Sequence, residues 1–250
     1  MTIQRTAVRA AAAVSVPVSG AEALVPGYLK DIYAWAYLHP GNAARLDREA
    51  VVSLILWGNH GRLKRAARSE FKPGQRILQA AHVYGDLIPG LARHVGREGQ
   101  LEVIDIAPLQ VALCQEKLRQ YPWAAVRRAD ARKPGGGPYD GICCYFLLHE
   151  LPWTWKRAVV DALLAEVAPG GKAVFVDYHR PRPWNLLGPV MAAVFRRLEP
   201  YAREMWDNDI SALAGNPAAF TWRKETYFGG LYQKVVAVPT GTCATSPERA

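Results

Sequence analysis

The chain has 250 residues, the size of one elaborated domain or two small ones. Half are apolar and 21% charged, which supplies a core and excludes a highly charged disordered chain. Lys and Arg total 31 against 22 acids, leaving +9, a balance suited to anionic lipid, nucleic acid or an acidic substrate; no uncharged run reaches the ~20 residues of a membrane span.

Residues 1–25 read as a flexible N-terminus, Ala-rich with Arg5 and Arg9 and no acid before Glu22. Such a segment suits an organelle transit peptide or a frayed bacterial N-terminus. A helical cap is expected over 26–70. Leu29, Ile32, Tyr33, Ala36 and Tyr37 recur at helical spacing between Tyr28 and Tyr37, and His39-Pro40-Gly41-Asn42 breaks the chain. A second helical stretch runs from Ala43 to Ser69, interrupted at Trp57-Gly58-Asn59.

The rhythm changes after the turn Phe71–Gln75, and residues 71–182 alternate strands and helices. Strands are expected at Arg76–Ala81, Leu101–Ile106, Trp123–Arg128, Tyr139–Leu148 and Ala173–Asp177. Helices are expected up to Val95, over Pro108–Gln120 and over Thr154–Val167, with Pro169-Gly170-Gly171 as a turn before the last strand. This alternation predicts a mostly parallel sheet covered on both faces. A helical insertion follows at 183–220, where Leu187, Met191, Val194, Leu198, Tyr201 and Met205 form an apolar stripe. Terminal strands at 221–238 and a flexible tail at 239–250 close the chain. None of the four cysteines forms a CxxC pair, and the strand neighbours Cys143 and Cys144 point to opposite faces, so reduced, buried thiols are expected.

Open parallel sheets bind ligands at the carboxyl ends of their strands, where strand order reverses. After the first strand comes Gln79-Ala80-Ala81-His82-Val83-Tyr84-Gly85-Asp86. Asp105 ends the second strand, where a carboxylate accepts from ribose hydroxyls. Asp130 follows the third, placed for an adenine amino group. No nucleic-acid module or aromatic–basic interleave is present, so no nucleic-acid partner is expected.

Ile77-Leu78, Gly85, Asp105, Asp130, Leu148-His149 and Pro169-Gly170-Gly171 stand in the order seen in class I S-adenosylmethionine-dependent methyltransferases, which residues 70–180 resemble. The resemblance implies a Rossmann-like α/β fold with an N-terminal helical lid and a helical insertion before the last strands. The chain departs from that pattern in its first loop. Gln79 replaces the strand-one acid, Ala81 and Val83 replace glycines, and His82 and Tyr84 add bulk. Further segments, Trp35–Pro40, Leu56–Asn59, Val83–Leu87, Phe146–Glu150, Val176–His179 and above all Lys224–Val236, are similar to the rhodoquinone biosynthesis methyltransferase-like proteins, over residues 26–238.

That resemblance implies conversion of ubiquinone to rhodoquinone, a ring methoxy group giving way to an amino group supplied by S-adenosylmethionine with manganese assisting. The alternative is an orthodox methyltransferase acting on a quinone or small lipid. Gln79, Ala80, Ala81, Val83, Tyr84, Gly85, Asp105, Ile106, Asp130, Ala131 and Phe146 are the expected cofactor contacts. A neutral Gln79 beside the amine would leave it uncharged and nucleophilic. Tyr84, His149, Asp177 and His179 are the catalytic candidates, and His149, Glu150, Asp177 and His179 the candidate metal ligands. Tyr28, Tyr33, Trp35, Tyr37 and His39 are expected to cover the substrate. The stripe Leu187–Met205, flanked by Arg180, Arg182, Arg196, Arg197 and Arg203, suits an interfacial helix. A peripheral place on the cytoplasmic face of a bacterial inner membrane follows, with the matrix side of the mitochondrial inner membrane as the alternative. Oligomeric state stays open.

Overall fold

A computed structural model describes residues 25–241. The expected flexible segment at 1–24, the tail beyond 241 and Cys243 lie outside the described residues. Five strands, β1 (Arg76–Ala80), β2 (Gln100–Asp105), β3 (Ala124–Arg128), β4 (Tyr139–Tyr145) and β5 (Val167–Tyr178), lie parallel. With β6 (Phe220–Tyr227) and β7 (Tyr232–Pro239) they form a seven-stranded sheet, ordered β3-β2-β1-β4-β5-β7-β6. Only β7 runs antiparallel to β5, and β6 pairs with it as a hairpin.

The central strands read as continuous apolar runs because both their faces are covered. Ile142, Cys143, Cys144 and Ala173–Val176 are all buried, and both cysteines are free thiols. The helices α6 (Leu87–Val95), α7 (Pro108–Leu118) and α8 (Trp153–Ala165) cover the sheet. Pro108 begins α7, where its missing N–H costs nothing. Strand order reverses between β1 and β4, which opens a crevice at their carboxyl ends.

Four local expectations change. The single helix at Tyr28–Tyr37 is two, α1 (Gly27–Asp31) and α2 (Ala34–Tyr37), because Tyr33 leaves helical geometry with φ −108° and ψ 6°. The expected break at Pro40 starts a helix instead, α3 (Pro40–Leu46), since proline suits a first helical position. The helices α4 (Glu49–Ile55) and α5 (His60–Arg68) then flank the expected interruption. Strand β4 stops at Tyr145, and Leu148–Glu150 is a 3₁₀ turn. Pro169-Gly170-Gly171 lies within β5 as an irregularity in its pairing with β4, where partners step from Tyr139↔Val167 to Gly141↔Lys172.

The insertion holds α9 (Leu187–Leu198) and α10 (Glu204–Asp207). Its apolar stripe faces largely inward, for Met191 and Met205 are buried. The buried part of the stripe is therefore a packing face, while Leu198 at its end stays 46% exposed. No helix among the described residues is long and apolar enough to cross a membrane.

Candidate active site

A cavity opens at the carboxyl ends of β1, β2 and β4, roofed by α1 and α2. The space open to water centres is about 210 Å³, against the ~10–15 Å³ that one water needs, so the cavity is of ligand size. Two residues that line it hold left-handed backbone: Ala81 after β1 (φ 67°) and Phe146 after β4 (φ 49°). Such conformations cost on the order of 1–3 kcal/mol each and gather at functional sites.

At one end stands Asp105, buried, each oxygen accepting one backbone N–H at 2.8 Å, from His82 and from Ala107. Burial pushes its carboxyl up to about 6, against the pull of those amides. A carboxylate has room for about four hydrogen bonds, so both oxygens can still accept from a ribose diol. Beside it the Gln110 amide donates to the carbonyl of Tyr37 (2.8 Å) and the hydroxyl of Tyr84 (3.1 Å). Its oxygen faces His82 Nδ1 at 2.8 Å, so that nitrogen carries the proton. Burial, with Lys117 nearby, drives His82 down to about 3 and keeps it neutral. His82, which lines the cavity, has in Nε2 a buried acceptor with no hydrogen-bond partner among the described residues, able to accept from a ligand O–H or N–H. Asp130 also lines the cavity, but Arg132 takes its carboxylate through a backbone N–H at 2.8 Å and a guanidinium contact at 2.7 Å. An adenine amino group would have to share it. Ile106 and Ala131 supply apolar walls.

The other end is ionic. His149 is buried, its Nδ1 2.9 Å from Asp177 Oδ1, while its backbone N–H donates to Asp177 Oδ2 at 3.3 Å. Its Nε2 stands 3.9 Å from both Glu150 Oε1 and Glu199 Oε2. Burial alone would lower the imidazole, but Asp177 and the two glutamates raise it to about 9, so it stands protonated at neutral pH. Burial raises the Glu150 carboxyl, which accepts a hydrogen bond from the Tyr37 hydroxyl. Burial raises the Glu199 carboxyl against the pull of His149 and of the Tyr33 hydroxyl.

A raised imidazole binds its proton more tightly folded than unfolded. Its contribution to stability is therefore complete below about pH 6.5 and is lost as pH rises through about 9. Melting the protein against His149→Gln is expected to show the gap between the two narrowing across that window. A constant gap would mean that His149 does not hold its proton there.

The cavity brings together Ala81, Val83, Tyr84, Asp105, Ile106, Asp130, Ala131 and Phe146 of the expected cofactor contacts, and Tyr28, Tyr33, Trp35 and Tyr37 of the expected cover. Others lie elsewhere. Gln79 sits fully buried outside the lining, its amide donating back to the carbonyls of Ala80 and Ala81 at 3.0 Å each. It shapes the turn after β1 and is not part of the cavity lining. Ala80 and Gly85 also stand behind the lining. Gly85 has φ 83°, and a Cβ there would meet His60 Nε2 at 2.8 Å, so only glycine fits. His39 is exposed at the start of α3, away from the cavity.

The four expected metal ligands do not converge. Asp177 is spent on His149, and His179 Nδ1 is held by the carbonyl of Gly230 at 2.7 Å. Among the described residues only Glu49, His60 and Asp86 bring three such donors within 4.8 Å of one another. There the Lys64 ammonium already pairs with Glu49 and Asp86. The manganese implied by the sequence resemblance thus finds no converged ligand set among the expected residues. Three groups escaped the sequence reading. Gln110 is a polar residue in the first turn of α7, a weak signal. Tyr178 ends β5 inside a recognised segment, and Glu199 gives no local sign at all.

No protein-family model matches the chain. Over 119 residues it is 29% identical to the ubiquinone/menaquinone biosynthesis C-methyltransferase UbiE of Shewanella pealeana, covering 44% of this chain and 45% of that one. Over 121 residues it is 28% identical to the 2-phytyl-1,4-naphtoquinone methyltransferase of Thermosynechococcus vestitus, covering 45% and 50%. The chain thus spans about half the length of the curated relatives it matches. Among solved structures, a SAM-dependent methyltransferase from Aquifex aeolicus superposes with a TM-score of 0.51 at 18% identity, over 80% of this chain and 97% of that one. The chain therefore has the class I S-adenosylmethionine-dependent methyltransferase fold and, over about half its length, is similar in sequence to quinone methyltransferases.

Proposed function

We propose that this chain is an S-adenosylmethionine-dependent transferase acting on a quinone ring, and that it exchanges a ring methoxy group of ubiquinone for an amino group, giving rhodoquinone. The observation that carries the finer reading is His149, a buried imidazole kept protonated by Asp177 where the cavity turns ionic. A group in that state is an acid. It suits a reaction that adds a nucleophile to a quinone, which pushes negative charge onto a ring oxygen and needs a donor there. Methylation of a quinol needs a base instead, and a protonated imidazole is a poor one.

S-adenosylmethionine, when bound, would supply its amine nitrogen: the ring gains a C–N bond, the methoxy group leaves as methanol, and the donor's own Cα–N bond must break to free the aminoquinone. Asp105 and His82 Nε2 offer acceptors to its ribose and amino groups, with Ile106 and Ala131 beside its base. Aromatic residues of α1 and α2 close over the ring and exclude water, Tyr37 lying stacked on Tyr84 at 5.5 Å between centroids. His149 Nε2–H faces the ring oxygen that gains charge. Glu150, whose carboxyl burial raises, stands 3.9 Å from His149 Nε2 at the same end of the cavity.

Methyl transfer is the second reading, favoured by the names of the curated relatives, which are quinone methyltransferases. One experiment separates the two. The purified protein is given a short-chain ubiquinone or its quinol, with S-adenosylmethionine carrying labelled nitrogen and a labelled methyl group, with and without manganese. Labelled nitrogen in the ring with loss of one methoxy group is the expected result. A labelled methyl on an otherwise intact ring overturns amination and keeps the transferase; no product overturns both.

A further inference from the structure

From the cavity mouth outward runs a surface unlike the rest of the chain. Ile55 lines the cavity yet is 48% exposed, and Trp57 beside it is 40% exposed. The Trp57 indole N–H donates to Met191 Sδ at 3.4 Å, which joins the end of α4 to α9. At the start of α9 stand Leu186, its N-cap, 87% exposed, and Val190, 43% exposed and next to Met191 in sequence. Just before the helix comes Trp184, 65% exposed, packed on Gly229 next to Phe228. Isolated exposed apolar residues are ordinary in a soluble protein, whereas a contiguous set with two tryptophans is not.

Charge frames this patch. Arg180 and Arg203 are engaged with Asp207. Arg182, Arg196 and Arg197 are exposed and make no ion pair among the described residues. Unpaired arginines around exposed Leu, Val and Trp are the composition that lies in the boundary layer of an anionic bilayer, with tryptophan at headgroup depth.

We infer that this face, built from the end of α4, the 182–190 segment with the start of α9, and the β6–β7 turn, docks on an anionic lipid bilayer. The cavity mouth then meets the acyl layer, from which an apolar substrate enters without crossing water. That use of the surface rests on the quinone reading; docking itself does not.

Sedimentation with phosphatidylcholine vesicles, with or without phosphatidylglycerol, tests docking in the absence of cofactor and quinone. The full chain is expected to bind the anionic vesicles and to lose most of that binding at high salt. Leu186→Glu/Val190→Glu and Arg196→Glu/Arg197→Glu are each expected to weaken partitioning about tenfold. All four positions are solvent-facing, so melting temperatures should hold, and Trp184→Phe should lower quenching by brominated lipid. Failure of the wild-type protein to bind at low salt, or full binding by both double variants, overturns the inference. In either case the labelled-product assay still decides the reaction on its own.

Discussion

Exchange of His149 for Gln is expected to lower turnover about 10²–10³-fold while the Michaelis constant for S-adenosylmethionine changes little. The side chain stands at the ionic end of the cavity, away from Asp105 and His82, so cofactor affinity is not its business. Asp177→Asn should cost less and act differently. Asp177 reaches His149 through both oxygens, and removing its charge lets burial pull the imidazole down from about 9. The alkaline limb of the pH–rate profile should then move to lower pH, which a purely structural role for Asp177 would not produce. If His149→Gln keeps full turnover, the reaction does not use this imidazole as its acid.

The second large effect is on stability, at a position whose sequence context suggests catalysis. Gln79→Glu restores the acid usual in this fold, yet the structure assigns it no place in the cavity. The Gln79 amide donates to two carbonyls, those of Ala80 and Ala81, and no water reaches it. An ionised carboxylate there has only acceptors to offer them. An uncompensated buried charge costs about 3–5 kcal/mol. In a chain of this size each kcal/mol is worth about 2–4 °C, so a fall of about 6–20 °C in melting temperature is expected. Gln79→Met, which loses the donors without adding charge, should fall by less. An unchanged melting temperature for Gln79→Glu, with altered activity, would put the side chain back into the site.

These two positions show what a linear sequence reveals. The parallel strands were legible because each is an unbroken apolar run bounded by turn residues, and Asp105 because it ends such a run. The direction of Gln79 was not. It depends on which face of β1 turns to the crevice, and burial on both faces removes the alternation that would tell. The His149–Asp177 contact depends on the β4–β5 register, Tyr145 against Val176, which brings the ends of two distant strands together. Glu199 caps α9 in the insertion, and only tertiary packing carries it to His149. The aromatic segment at Tyr28–Tyr37 reads as a cover from its composition, whereas its split at Tyr33 is a backbone detail that periodicity does not encode.

The roof over the cavity is fastened by the very residues that line its floor. The Tyr84 hydroxyl donates to the carbonyl of Ala36 at 2.6 Å and the Gln110 amide to that of Tyr37 at 2.8 Å. Each such clasp is worth about 1 kcal/mol net, so the set can undo and refasten within microseconds to milliseconds without unfolding the sheet. A donor molecule that parts them on entry must part them again on leaving. Wherever that second parting is slow, turnover will answer to solvent viscosity rather than to the reactivity of the ring.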